Sequence, residues 1–108
     1  MQTQLVHLAH ARGGDKGDTA DLSLFARDAA TYAVLKREVT AERVAAHFAA
    51  IASGPVRRFE LDRLWALKFV LDGALDGGAA RSLRSDNLGK SLAAGLLRLA
   101  IDLPDPLP

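Results

Sequence analysis

The feature of this sequence that most constrains its fold is the alternation of apolar and polar side chains from Thr19 to Ala26. In an extended strand, successive side chains point to opposite faces of the sheet. One face of this strand consists of Ala20, Leu22, Leu24 and Ala26, and the other of Thr19, Asp21, Ser23 and Phe25. Because the apolar face must be covered by a second layer, the alternation predicts a two-layer fold.

Helices are predicted where a residue that can cap a first helical turn precedes an apolar pattern. Asp28 predicts a short helix that ends near Glu38. Thr40 predicts a second helix, which Ser53-Gly54-Pro55 would stop. Leucines at helical spacing predict a final helix from Lys90 to Ile101.

Short apolar runs bounded by turn-forming residues predict further strands at Leu5–Leu8, Val56–Leu61 and Ala79–Ser85. The segment from Asp62 to Asp76 is ambiguous, because its two apolar runs could each be a buried strand. Its polar residues Lys68, Asp72 and Asp76 recur at intervals of four, which is typical of one face of a helix. We therefore favour a helix there.

The order of these elements predicts an α+β fold, with a small mixed sheet of about four strands and helices on one face. A chain of 108 residues can bury one core, so we expect a single domain over residues 1–102 and a proline-rich tail over residues 103–108.

Composition excludes several classes of function. The absence of cysteine excludes disulfides, thiol nucleophiles and cysteine-ligated metals. A formal net charge of +1 gives no reason to expect a nucleic-acid partner. No apolar run approaches the roughly 18–20 residues of a membrane span, and the first residues do not resemble a signal peptide, so a cytoplasmic location is expected.

The segment from Ala11 to Asp18 is the strongest candidate for a binding site, because it holds three glycines and four charged residues between two predicted strands. Glycines let several backbone amides turn toward one ligand. Arg12 and Lys16 could neutralise a phosphate or a carboxylate. Asp15 and Asp18 could hold a hard cation or orient the side chains of Arg12 and Lys16. The alternative is a solvated hairpin loop whose charges pair with one another.

A second candidate segment runs from Gly77 to Ser91. Arg84 lies on its predicted strand, and Lys90 opens the final helix, where free amides favour an anion. The alternative is an edge strand protected by arginines. The predicted ligand-binding residues are His10, Arg12, Gly13, Gly14, Asp15, Lys16, Gly17, Asp18, Arg84 and Lys90.

The three histidines predict no metal site. His7 and His10 have opposite parity on a strand and would point to opposite faces. His10 is the nearer to the charged segment and could act as an acid or base, or only pack. His47 is expected to be partly buried and hydrogen-bonded. No nucleophile motif identifies a catalytic residue, and neither a metal nor a cofactor is predicted.

Several strings occur together and in order, namely His10 to Ala20, Thr40 to Val44, Lys68 to Leu71, Gly73 to Leu75, Arg81 to Arg84 and Gly89 to Leu92. Together they resemble the small carboxy-terminal domain of the acyclic terpene utilisation protein A (AtuA-like) family, here as a stand-alone chain. The resemblance covers most of residues 7–99 and implies a ferredoxin-like fold. It also implies a link to bacterial breakdown of acyclic terpenes such as citronellol, and it assigns no catalytic residue. Asp21 stands where the family pattern has asparagine.

Three functions stay open. The first is an accessory or ligand-binding module for a small anion, an organic acid or an acyl-CoA at the Arg12–Asp18 segment. The second is a structural module that forms a homodimer or a larger homo-oligomer, or that docks on the larger domain the resemblance implies. The third is a hydratase or hydrolase that uses His10 with Asp15 or Asp18.

Overall fold

The computed structural model of the chain describes residues 2–16, 19–49, 54–72 and 88–103, without the side chains of residues 15, 16 and 88–91. The strands in these ranges are β1 (Gln2–Gln4), β2 (Ala9–Lys16), β3 (Thr19–Ala26), β4 (Val56–Leu61), β5 (Ala66–Asp72) and β6 (Ala100–Asp102). The α-helices are α1 (Ala29–Glu38), α2 (Ala41–His47) and α3 (Leu88–Leu96). Two 3₁₀ turns, Leu5–His7 and Asp62–Leu64, precede β2 and β5.

The main sheet has the strand order β2-β3-β5-β4. Two hairpins build it, one closed by the pairing of Lys16 with Thr19 and one by the pairing of Leu61 with Ala66. Because β3 also pairs antiparallel with β5, the expected mixed sheet is antiparallel throughout the described strands. Strand β2 lies at one edge and pairs only with β3 among these strands.

One face of the main sheet carries the hydrophobic core. Along β3, the buried residues are Ala20, Leu22, Leu24 and Ala26, as the alternation predicts. The register places Leu22 beside Phe69 of β5, and both are fully buried. Helix α1 contacts β3, α2 contacts β4, and α3 contacts β2 and β3. The predicted α+β class is confirmed.

The predicted capping residues start helices α1 and α2. Oδ1 of Asp28 accepts a hydrogen bond of 2.8 Å from the amide of Thr31. Oγ1 of Thr40 accepts one of 3.1 Å from the amide of Arg43. Both helix starts are therefore confirmed, and α1 ends where predicted. Helix α2 ends at His47, several residues before the predicted stop.

Two predictions near the ends of the described chain are wrong. The predicted strand at Leu5–Leu8 is a 3₁₀ turn over Leu5–His7. The predicted final helix ends at Leu96, and residues 100–102 form β6 instead. Strand β6 pairs antiparallel with β1, and the amide of Leu5 donates to the carbonyl oxygen of Leu99 at 2.9 Å. This long-range pairing removes the last residues from the helix.

The helix favoured over residues 62–76 is also wrong, because residues 66–72 form the central strand β5. Lys68 and Asp72 are four residues apart, and that spacing puts them on one face of a strand as well as of a helix. The buried residues of β5 alternate from Leu67 to Phe69 to Leu71. Packing against β3 and β4 on both sides selects the strand.

The loop predicted over residues 11–18 is wrong as well, because β2 continues to Lys16. Its pairing with Thr19 leaves only Gly17 and Asp18 to connect the two strands. The predicted strand at residues 79–85 and residues 104–108 of the tail lie outside the described residues.

Candidate functional site

The second face of the main sheet, here called the open face, carries the residues that alternate with the core. Its side chains come from all four strands and include His10, Arg12, Thr19, Asp21, Ser23, Phe25, Arg57, Phe59, Lys68, Val70 and Asp72. Each of these is exposed or partly exposed. A sheet face with this mixture of rings and charges can contact a ligand or another protein.

Two ion pairs neutralise part of the charge of the open face. Nζ of Lys68 lies 3.7 Å from Oδ2 of Asp21, and Nη2 of Arg57 lies 3.1 Å from Oδ1 of Asp72. Arg12 is exposed and has no ion-pair or hydrogen-bond partner among the described side chains. Arg12 is therefore the cation of this face that is most available to an anionic ligand.

Next to Arg12 along β2, His10 stacks on a phenyl ring. Its imidazole lies parallel to the ring of Phe25, with the centroids 5.0 Å apart and the planes at 11°. The register explains the contact, because His10 pairs with Phe25 across the β2–β3 hairpin. Among the described residues, this ring contact is the side-chain interaction that the structure shows for His10.

A cleft opens between the edge strand β2 and helix α3. It measures about 450 Å³ and is lined by Ala11, Arg12, Gly13, Ala93, Ala94 and Leu97. Small residues on both elements leave this space open, and apart from Arg12 the lining is apolar or glycine. Its size is within the range of small-molecule sites, roughly 300–1,000 Å³.

The turn between β4 and β5 displays apolar side chains. Leu64 is 61% exposed and Trp65 41%. Phe59, which precedes the turn on the open face of β4, is 45% exposed. Trp65 has a φ of 51°, a left-handed conformation that is uncommon for a residue with a side chain. Its carbonyl oxygen accepts a hydrogen bond of 2.8 Å from the amide of Ala26, which holds the turn against the end of β3.

Helix α1 is tied to the same turn by Tyr32. The hydroxyl of Tyr32 donates to Oδ1 of Asp62 at 2.7 Å, and Nζ of Lys36 lies 3.5 Å from the same oxygen. Burial and the hydrogen bond to Asp62 raise the pKa of Tyr32 to about 12. The hydrogen bond from Tyr32 lowers the pKa of Asp62.

Two arginines that the sequence did not single out have structural roles. Nη1 of Arg58 donates to the carbonyl oxygens of Lys36 and Val39, at 2.8 and 3.0 Å. It thereby supplies a hydrogen-bond donor to carbonyl groups at the end of α1. Nη2 of Arg43 donates to the carbonyl oxygen of Ala100 at 2.8 Å and links α2 to β6. No sequence motif marks Arg58, and the string Thr40 to Val44 contains Arg43 without indicating its contact, since both arginines act on backbone carbonyls of distant elements.

The structure brings together part of the predicted ligand-binding set. His10 and Arg12 share the open face, and Gly13 lines the cleft. Gly14 faces Asp21, and a Cβ atom at Gly14 would lie 2.9 Å from Oδ1 of that carboxylate. The predicted residues that lie outside the described side chains are Asp15, Lys16, Gly17, Asp18, Arg84 and Lys90.

Two further observations concern residues outside the predicted ligand-binding set. Ala93 and Ala94 of α3 line the cleft, and the signal for them was a run of small residues on an otherwise leucine-rich helix. The predicted hydrogen bond of His47 is present, because its Nε2 donates to the carbonyl oxygen of Gly95 at 2.7 Å. Its predicted partial burial is wrong, since the residue is exposed at the end of α2. Among the described residues, no three His, Asp or Glu side chains are grouped to hold a metal ion.

No described helix is long and apolar enough to cross a membrane. Neither a search of curated proteins nor a search of solved structures returns a match. The model of the family described as the AtuA ferredoxin-like domain matches residues 3–102. This match confirms the resemblance and the ferredoxin-like α+β class, and it shows that the chain belongs to the AtuA ferredoxin-like domain family.

Proposed function

We propose that this domain is a binding module for a small organic anion with an aliphatic part, a carboxylic acid, held at strand β2. The observation that supports the proposal most directly is the position of Arg12. Arg12 is an exposed residue of the open face, and it also contributes to the lining of an otherwise apolar cleft beside the edge strand β2. A cation at the rim of an apolar cleft is complementary to a ligand with a charged head and a hydrocarbon tail.

The acidic head would accept hydrogen bonds from Arg12, whose guanidinium matches the geometry of a carboxylate. The tail would lie against Ala93 and Ala94 of α3 and against Leu97, which follows the helix. The resemblance to the acyclic terpene utilisation protein A family would suit an acid formed in the breakdown of acyclic terpenes, since such an acid joins a carboxylate to an aliphatic chain.

Calorimetric titration of the full chain with octanoate, octanol and acetate tests the proposal. Octanoate should bind more tightly than either comparison ligand, because octanol lacks the charge and acetate lacks the tail. Equal affinities for octanoate and acetate would contradict the role of the cleft. Equal affinities for octanoate and octanol would contradict the role of Arg12.

Two substitutions sharpen this test. Arg12→Ala should weaken octanoate binding by about 10- to 100-fold, the value of a hydrogen bond to a charged group, without lowering the melting temperature. Ala94→Leu should weaken octanoate binding by filling the cleft. The matched control is Arg63→Ala, an exposed arginine in the turn before β5, which should leave the affinity unchanged.

A second candidate function is self-association, which the exposed apolar side chains at the β4–β5 turn support. Leu64 and Trp65 present exposed apolar area in this turn. Light scattering over a range of concentrations tests this candidate with the Trp65→Ser variant. Self-association predicts a dimer or larger oligomer that Trp65→Ser dissociates, whereas a monomer at every concentration contradicts it.

A further inference from the structure

We propose that the open face binds a nucleotide, with its base stacked on His10 and its phosphate held by Arg12. The inference rests on the anion-binding role proposed for Arg12 but not on the cleft beside α3. It assigns to this face a ligand chemistry, a planar aromatic group joined to a phosphate, that an aliphatic acid does not have.

The stack of His10 on Phe25 provides the platform for the base. One side of the imidazole lies against the phenyl ring, with the centroids 5.0 Å apart and the planes at 11°. The other side therefore points away from Phe25. His10 is exposed and lies on β2, which is an edge strand of the described sheet. A nucleobase placed on that side would extend the existing pair to a stack of three rings.

Arg12 lies where the phosphate of such a nucleotide would be. It is two residues from His10 on the same face of β2, a distance of about 6.6 Å along the strand, which one ribose spans. Among the described side chains it has no ion-pair partner. A guanidinium in this state can make paired hydrogen bonds to phosphate oxygens.

The neighbouring residues suit a polar ligand that contains a ring. Ser23 pairs with Arg12 across the hairpin, and Lys68 follows in the same row of the sheet. Ser23 offers a hydroxyl, and Lys68 adds a second cation whose pair with Asp21 is long, at 3.7 Å. Rings, a hydroxyl and cations on one exposed surface are the groups that nucleotide binding uses.

Titration of the full chain with ADP tests the inference, with the affinity measured by calorimetry and the histidine ring protons followed by NMR. Stacking of adenine should shift the ring protons of His10 upfield and leave those of His7 and His47 unchanged. Adenosine, which lacks the phosphates, and inorganic pyrophosphate, which lacks the base, should each bind more weakly than ADP. Pyrophosphate that binds as tightly as ADP would overturn the inference.

Variants separate stacking from charge. His10→Ala should weaken ADP binding by about 5- to 100-fold, the contribution of stacking on one aromatic side chain. His10→Phe keeps a ring at this place and should retain most of the affinity. Arg12→Ala should weaken ADP binding by about 10- to 100-fold. His7→Ala, which removes an exposed histidine from the 3₁₀ turn, is the matched control and should bind ADP normally.

Because all of these side chains are exposed, melting temperatures should stay close to that of the parent chain. Unchanged ADP affinity in a folded His10→Ala variant would overturn the inference. Binding of octanoate without any binding of ADP would overturn it too, while leaving the proposed function in place. Binding of ADP without binding of octanoate would support it and contradict the cleft.

Titration with octanoyl-CoA tests whether the nucleotide is free or part of an acyl-CoA, because this compound joins an acyl chain to an adenine nucleotide. Tighter binding of octanoyl-CoA than of ADP and octanoate would support one ligand that occupies both sides of β2. Equal affinity for octanoyl-CoA and ADP would support a free nucleotide. Both results require the His10–Phe25 stack, so His10→Ala should weaken the binding of octanoyl-CoA and of ADP.

Discussion

The hydroxyl of Tyr32 donates a hydrogen bond of 2.7 Å to Oδ1 of Asp62, across thirty residues of sequence. Tyr32 is 5% exposed, whereas Asp62 lies in an exposed turn. Nζ of Lys36 lies 5.1 Å from the centre of the Tyr32 ring and 3.5 Å from the same carboxylate oxygen. Helix α1 thus holds the turn in which Trp65 adopts its left-handed conformation.

This hydrogen bond predicts a loss of stability at high pH. Burial, and then the hydrogen bond to Asp62, raise the pKa of Tyr32 from 10.0 to about 12. The unfolded chain ionises this group near pH 10, whereas the folded chain resists ionisation until the higher value. Stability from this group is therefore complete below pH 10 and is lost as the pH rises toward 12. Urea denaturation over this range measures it.

The Tyr32→Phe variant is the control for that prediction. It should lose about 0.5–1.5 kcal/mol of unfolding free energy at neutral pH, because it lacks the hydrogen bond. Between pH 10 and 12 its stability should fall less steeply than that of the parent chain. Parallel pH profiles for the two proteins would show that Tyr32 is not the group responsible.

A second prediction concerns the adjacent arginines of β4. Arg58 is 19% exposed and donates to two carbonyl oxygens at the end of α1, so Arg58→Ala should destabilise the domain by about 1.5–3 kcal/mol. Arg57, which faces the opposite side, is 56% exposed and pairs with Asp72. Arg57→Ala should cost at most about 1 kcal/mol. Chemical denaturation of both variants checks this difference, and equal losses would contradict it.

A third prediction concerns Gly54, which precedes β4. A Cβ atom at this position would collide with the backbone carbonyl oxygen of Asp72, next to the hydrogen bond of 3.2 Å from the Asp72 amide to the oxygen of Pro55. Gly54→Ala should therefore destabilise the domain by about 1–3 kcal/mol, since backbone must move. Gly14→Ala is the comparison variant. Its nearest atom belongs to the Asp21 side chain, which can rotate, so thermal melting should show a smaller loss.

A fourth prediction tests the electrostatics of the proposed anion site. Asp21 and Arg12 occupy diagonal positions of the open face, about 7–8 Å apart. Removing the negative charge with Asp21→Asn should strengthen octanoate binding by about twofold, the Coulomb energy at this distance in water. The effect should decrease when salt is added, since salt screens exposed charges. Weaker binding in Asp21→Asn would mean that the carboxylate positions the ligand.

The parts of the fold that the sequence predicted are those whose causes are local. The alternation over β3 identified its buried face, and Asp28 and Thr40 identified the starts of α1 and α2. The strings that resemble the AtuA family identified the family itself. For the candidate site, the sequence placed His10 and Arg12 in one set of predicted ligand-binding residues, and the extension of β2 to Lys16 puts the two on one strand.

Only the tertiary structure decided the rest, because the deciding contacts join residues that are distant in sequence. A spacing of four residues fits a strand as well as a helix, so only the neighbours β3 and β4 make residues 66–72 a strand. The charges and glycines of β2 give it no strand pattern in the sequence, and its pairing with β3 makes it a strand. The cleft exists because α3 packs beside β2, and the stacking partner of His10 comes from β3. Local patterns determine where an element begins and which face is apolar, whereas the packing of those elements determines which side chains meet.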